Sequence, residues 1–437
     1  MTTTQRYGDL ELSFRTAQGT GGSIGSTHMP FTGYDGHTTP TERLSSGHKV
    51  GLIDRDPKGG VLMLKDVSAD GSLLRPPVTW ERVAQLPLDG QFPYGVWRPI
   101  PPEGYVALGD IVFRWDYELE QFPDWLCWTA CVKKTHNGRP YVRQGECGTV
   151  LYDSGSLRLW SVVNPPYPDG DLDEHLFLPC GNFTAVTSSG TPAPTPTTWV
   201  LDLPAVIEKR DGPEIPELTS HARPPATTVI TDRTVTVPYF MIDDRGREED
   251  WKLENSPFYK VRRKRHFELI LYRDNRNGTV PQEESQMVKT GVSKEEGETF
   301  TENTGITVGM SAGVSAGGKP FGIGVEATVT TSVSTTIELG YERRTNITTM
   351  REEAKTRGLT IPEHSSACLW MEHHELLPVR ANGDTLGSQA ALGFTTDYYV
   401  TGQYPSAAGA SYFEVDGDGR QTTKADRHLP TARPVTV

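Results

Sequence analysis

Between residues 306 and 341 the chain alternates apolar and small polar positions with a period of two. Ile306, Val308, Met310, Ala312, Val314 and Ala316 share one parity, with Ser311 and Ser315 among the residues between them. Gly317, Gly318, Lys319 and Pro320 then supply a turn. Beyond it Phe321, Ile323, Val325, Ala327 and Val329 resume the apolar parity, and Glu326, Thr328 and Glu338 fall on the polar one. A helix cannot keep one face apolar with this period, so the pattern predicts two β-strands joined as a hairpin. Pairing Ala316 with Phe321 sets Val314 against Ile323, Ala312 against Val325, Met310 against Ala327 and Val308 against Val329. A slip of one residue would destroy that match. Each arm is roughly 10 residues long, the length of a membrane-crossing β-strand. An amphipathic hairpin can equally cover a soluble core. The light apolar face and the Gly/Ser/Thr polar face favour the membrane reading.

The same patterning predicts strands elsewhere. In the first half they fall at 10–14, 50–53, 61–64, 106–115, 125–132, 150–152, 157–163 and 199–203. In the second they fall at 227–230, 235–242, 259–272, 306–316, 321–341, 367–377, 393–401 and 412–415. Residues 350–357 fit either a short helix or a polar strand. Recurrent Pro and the loss of apolar period mark 206–226 as a linker. The expected organisation is a head over 1–205, the linker, and a second module over 227–437. Trp80, Trp97 and Trp160 open three faintly similar stretches. Three such units around a pseudo-threefold axis would form a β-prism. The fold class expected is therefore all-β, a β-prism-like domain followed by an elongated antiparallel module.

Length and charge narrow the classes of function. The chain has 437 residues, enough for about two or three domains. Its formal charge of −13 argues against nucleic acid and against electrostatic capture by anionic lipid. No run of about 18 apolar residues marks a transmembrane helix. The first residues lack the apolar core of a signal peptide, so the expectation is synthesis in the cytoplasm and release by another route.

Candidate chemistry adds little. The five cysteines do not describe a disulfide scaffold. Cys127 and Cys131 stand in an apolar setting and read as buried structural thiols. Gly309-Met-Ser-Ala-Gly313 and Gly313-Val-Ser-Ala-Gly317 match a nucleophile pattern but lie within a predicted strand, not at a strand-to-helix elbow. Glu372-His373-His374-Glu375 lacks the helical spacing of a zinc site and reads as solvated edge residues. The acidic stretches 169–174 and 416–419 lack the closing Glu of a calcium loop and read as turns. Lys260-Val-Arg-Arg-Lys-Arg265 reads as a solvated strand end or a protease site. No metal, no cofactor and no enzyme activity are expected.

Two resemblances then enter. Trp97-Arg98-Pro99, followed by Gly104, Tyr105 and Gly109-Asp110, with Trp160 further on, resembles the signature of the vacuolar protein sorting sixty-two family over roughly 45–205. The second half resembles aerolysin-type β-pore-forming toxins of the epsilon-toxin and mosquitocidal-toxin branch over about 227–410. That likeness rests on Ser256-Pro-Phe-Tyr259, Thr290-Gly-Val-Ser293, Phe300 to Ile306, the hairpin, and Ile361-Pro-Glu-His364.

The resemblance implies a head that binds an unknown surface receptor, either a glycan or a protein. It implies a chain that is a monomer or dimer in solution and a homo-oligomer in a target-cell membrane, where one hairpin per subunit closes a barrel. A lone hairpin would leave unpaired backbone groups in hydrocarbon, and closure removes them. Val, Ile, Phe and Ala would face lipid, and Ser311, Ser315, Glu326, Thr328 and Glu338 the lumen. It also implies an upstream alternative at 282–302, whose charges would cost about 2–4 kcal/mol each at the bilayer midplane. That cost favours 306–331. The tail at 417–437 is either a disordered end or an activation peptide cleaved near Arg420, Lys424 or Arg427. The competing class is a non-lytic lectin-like or trafficking protein built from the same domains.

Overall fold

The computed structural model describes residues 3–16, 21–24, 27–30, 48–52, 60–86, 93–116, 118, 131–153, 155–165, 175–178, 183–187, 195–306, 352–406, 409–415 and 421–424. Among these the chain is almost entirely β, with two α-helices. The N-terminal strands are β1 (Gln5–Tyr7), β2 (Leu10–Thr16), β3 (Gly21–Ile24), β4 (Thr27–Pro30), β5 (His48–Leu52) and β6 (Gly60–Asp66). They form a sheet of order β1-β2-β6-β5 and a β3–β4 hairpin.

The rest of the head is a repeat. Its first unit holds β7 (Leu74–Arg75), β8 (Thr79–Gln85), β9 (Tyr94–Ile100), β10 (Tyr105–Ala107), β11 (Ile111–Arg114) and β12 (Cys131–Lys133). A small hairpin, β13 (Thr135–His136) and β14 (Arg139–Pro140), leads to the second unit. This one holds β15 (Val142–Gln144), β16 (Glu146–Asp153), β17 (Arg158–Val163), β18 (His175–Leu178), β19 (Phe183–Val186) and β20 (Trp199–Pro204). The first unit makes sheets β10-β12-β7 and β11-β9-β8, and the second makes β18-β20-β15 and β19-β17-β16. Strand for strand the orders are the same.

This corrects the place given to Trp80. Trp97 on β9 and Trp160 on β17 occupy corresponding strands, but Trp80 lies on β8, paired with β9 in the first unit itself. Among the described residues the echo is therefore twofold. The predicted strand 106–115 is also broken, because the Asp110 amide leaves its own strand and donates to the Phe183 carbonyl at 2.8 Å.

The second module has two sheets. One has the order β21-β22-β23-β26-β27, from Val206–Lys209, Ile230–Pro238, Phe258–Asn275, Ser365–Val379 and Leu392–Tyr404. The other has the order β24-β25-β28-β29, from Gln282–Thr290, Glu353–Ile361, Ser411–Val415 and Gln421–Lys424. Helix α1 (Glu249–Asn255) precedes β23, and α2 (Lys294–Thr304) follows β24. The spine is the β23–β26 ladder, which runs from Lys260 opposite Val379 to Asn275 opposite Ser365. Of the stretch 350–357, which fits either a helix or a strand, residues 353–357 belong to β25.

The sheets bury a shared apolar layer in which Val288, Leu359 and Ile361 meet Leu271, Leu369, Met371 and Tyr399. Gly358 is required there, since any Cβ would stand 2.3 Å from the Phe413 ring and 2.9 Å from a backbone oxygen. Burying each large apolar side chain contributes about 1.5–3 kcal/mol.

The stretch expected as a linker is structured. It begins as β21, paired with β22. It then lies on the outer face of the larger sheet. Leu218 is buried with Phe267, Cys368 and Trp370, and the Thr227 hydroxyl donates to the Phe267 carbonyl at 2.7 Å. One apolar core runs through the expected boundary, uniting Tyr7, Leu12, Phe14 and Leu64 with Val235, Tyr239, Phe258 and Phe394. Phe14 meets Tyr239 edge-on at 5.0 Å and Phe258 at 5.5 Å.

Candidate functional site

The alternating hairpin lies outside the described residues apart from Ile306, so its pairing and both its faces do too. What the structure places are the two points where that segment leaves and rejoins the module. On the entering side, β24 ends at Thr290, opposite Glu353 at the start of β25. The turn after it is fixed where the Gly291 amide donates to the Thr395 carbonyl at 2.9 Å, and the Glu352 amide to the Val292 carbonyl at 3.0 Å.

Helix α2 then starts at a capping box. The Ser293 hydroxyl accepts from the Glu296 amide at 3.2 Å while the Glu296 carboxylate reaches back to Ser293. It stops at Gly305, whose φ of 72° is the left-handed cap that glycine takes without strain. Ile306 follows and is buried in the central core with Phe300. Its amide donates to the Thr304 hydroxyl at 3.1 Å, and its carbonyl accepts from Thr301 at 3.1 Å. Ile306, expected on a lipid-facing strand, is in this state an anchor inside the protein.

The upstream alternative, 282–302, is the strand β24 and most of α2. On β24 the outward positions Glu283, Ser285, Met287 and Lys289 are all exposed, while Val288 points into the core. β24 stands at the edge of its sheet.

The returning strand β25 is tied to the larger sheet by a buried cation. Arg357 is 1% exposed, donates to Asp397 on β27 at 2.8 Å, and lies 5.2 Å over the Tyr399 ring. Glu414 on β28 approaches the same guanidinium at 3.4 Å. Sequence pattern missed this contact, because Arg357 sits in a stretch without alternation.

Two basic and acidic motifs read as solvated are instead interior. β23 and β26 lie in the middle of their sheet, so Arg263, Glu372 and His374 are buried. Arg263 makes a two-pronged contact with Asp232 at 3.0 and 2.6 Å. Arg265 bridges Asp232 at 2.8 Å and Glu372 at 2.9 Å. Burial raises the proton affinity of Asp232, but the two guanidiniums more than offset it and hold its carboxyl below the usual range. The signal that could have exposed this network was period two. Arg263 and Arg265 lie at alternate positions of β23, and Glu372 and His374 at alternate positions of β26, so all four share one face of the sheet.

In the head, the Trp-Arg-Pro motif is structural. Trp97 is fully buried, with Arg82 at 4.7 Å over its ring and Trp115 at 5.4 Å. Arg98 clasps Asp110 through two bonds of 2.9 and 2.8 Å and donates to the Ala185 carbonyl at 2.8 Å. The Ala185 amide donates back to Asp110 at 2.7 Å. Residues of the motif thus tie the two repeat units together. Pro99 is buried beside them and pairs with Trp80. Gly104 turns the chain at φ 80°, and Tyr105 donates to the Ser72 carbonyl. Gly109 precedes the Asp110 crossing. Trp160 is half-buried on β17.

Cys131 is buried as expected, its thiol pushed up to about 12 by burial, and Cys368 likewise. Cys127 lies outside the described residues, as do Arg420, Arg427 and both acidic turns. Lys424 ends β29, which pairs with β28 and so forms part of a sheet. Among the described residues no group of three or more His, Cys, Asp or Glu could hold a metal ion, and no helix is long and apolar enough to cross a membrane.

A family model also matches within the second module. Residues 230–385 match the family model described as "Insecticidal Crystal Toxin, P42", a span that runs from β22 through β26 and includes the whole hairpin. No curated protein sequence matches. Among solved structures, the crystal structure of Cry35Ab1 is 14% identical, covers 83% of this chain and 87% of its own, and superposes with a TM-score of 0.34. GNIP1Aa from Chromobacterium piscinae is 19% identical over 44% of this chain and 30% of its own, with a TM-score of 0.24. Neither TM-score is high enough to carry an argument. The similarity that bears on function is the insecticidal crystal-toxin pattern across the β22–β26 span.

Proposed function

We propose that this protein is an insecticidal β-pore-forming toxin of the aerolysin type. In this reading the head binds a receptor on the target cell, subunits associate, and each contributes the 306–331 hairpin to one transmembrane barrel. The observation that carries the reading is the crystal-toxin family match over 230–385, which encloses the alternating segment. Three further features support it. The described chain on either side, at Ile306 and from Glu352 onward, is held in the module. Its arms have the length a bilayer needs. Its polar face offers Glu326 and Glu338 to a lumen, which favours cation passage. Cleavage near Arg420 would remove β29 and uncover the edge of β28, giving a neighbouring subunit a strand to pair with.

The test is dye release from liposomes made with target-cell lipid, after brief trypsin treatment. Val314→Arg and Val325→Arg are expected to abolish release while leaving circular dichroism unchanged. Full release by both variants would move the crossing segment upstream to 282–302. No release by the unmodified protein, with binding retained, would favour the non-lytic binding protein instead.

A further inference from the structure

The spine of the larger sheet holds a row of charges that the pore reading does not use. Asp232 on β22, Arg263 and Arg265 on β23, and Glu372 on β26 are joined by hydrogen bonds, and His374 closes the row with Nε2 3.0 Å from the Glu372 carboxylate. His374 has no exposed surface, and Glu372 is 4% exposed. With the imidazole neutral, the two guanidiniums of the row balance its two carboxylates. A proton on His374 adds a buried cation without a counter-ion of its own, since Glu372 already serves Arg265. It also turns Nδ1 into a donor, and Nδ1 faces no hydrogen-bond partner among the described residues. A buried donor without an acceptor loses its bonds to water and gains none in return.

The groups facing His374 are few. Glu372 comes from its own strand, Arg263 and Arg265 from β23, and the Phe394 ring from β27 at 5.4 Å. Arg233 on β22 stands opposite Arg263 in the ladder. On the reverse face of the next rung, His266 and His373 stack with ring centres 4.9 Å apart, beside Glu268, Glu375 and the Lys264–Glu375 ion pair.

We propose that this row is an acid-sensitive lock on the β23–β26 seam: proton uptake at His374 on mild acidification loosens the pairing of the two strands. Burial first, and then the two guanidiniums, hold His374 below the ordinary imidazole range despite the opposing pull of Glu372. Burial and His266 do the same to His373. The unfolded chain therefore binds more protons than the folded one just below about pH 6.5. The stability these rings protect is complete above that pH and is lost as the pH falls below it. The inference concerns the folded soluble chain and stands whether or not the protein makes pores.

Urea unfolding of the full chain at about pH 7.5 and about pH 5.5 tests it. The midpoint of the unmodified protein is expected to fall on acidification, His374→Gln to lose at least half of that fall, and His373→Gln to keep most of it. An unchanged midpoint in the unmodified protein, an equal fall in His374→Gln, or a fall abolished by His373→Gln alone would each overturn the lock. Should His374→Gln not fold, hydrogen exchange of the unmodified protein decides. Corrected for intrinsic rates, protection at 263–267 and 372–376 should drop severalfold more than at 235–237. A uniform drop, or none, overturns it.

Discussion

Asp110 accepts hydrogen bonds from Arg98, from the Ala185 amide and from the Thr197 hydroxyl, which lie in separate stretches of the head. Removing one partner of a buried pair strands the other, at a cost of about 3–5 kcal/mol. Asp110→Ala is expected to destabilise the protein by that amount in urea unfolding. The double variant Arg98→Ala with Asp110→Ala should recover part of the loss, because the orphaned guanidinium is gone. A double variant no more stable than the single would assign the effect to packing. The Trp97-Arg98 motif stands out in the sequence, but its role does not. A buried tie and a surface signature use the same residue types, and only the position of Ala185 in space separates them. Glu372 and His374 were misjudged for a related reason. Polar residues on a strand imply solvent unless the strand is interior, and sheet order is not written locally.

Helix α2 and strand β24 form the approach to the candidate membrane segment, and both escaped the hydrophobic pattern. β24 is an edge strand with an exposed outer face, so its apolar signal shrinks to Val288. α2 did carry a readable signal, Ser293 three residues before Glu296, the spacing of a capping box. Ser293→Ala is expected to cost about 0.5–2 kcal/mol, read as a lower thermal midpoint and faster hydrogen exchange over 294–304. Unaltered exchange there would mean that tertiary packing alone holds the helix. The long strands of the module were legible because alternation survives where one face is buried. The 206–226 stretch was not, since proline-rich chain without period looks alike whether it spans open space or lies on a sheet.

At the scale of the molecule, the head and the module share their core. Phe14 belongs to the head by sequence but packs on Tyr239 and Phe258 of the module, and the Tyr7 hydroxyl donates to the Thr236 carbonyl at 3.1 Å. Calorimetry should accordingly show one unfolding transition, not two. Phe14→Ala is expected to lower its midpoint, at a cost of about 3–5 kcal/mol. Two transitions in the unmodified protein would mean that the halves melt independently. The continuous core has a mechanical meaning as well. A head that shares its core with the module has no swivel with which to absorb a pull. Torque delivered there would travel straight into β22 and its neighbours, as a handle turns the shaft to which it is fixed.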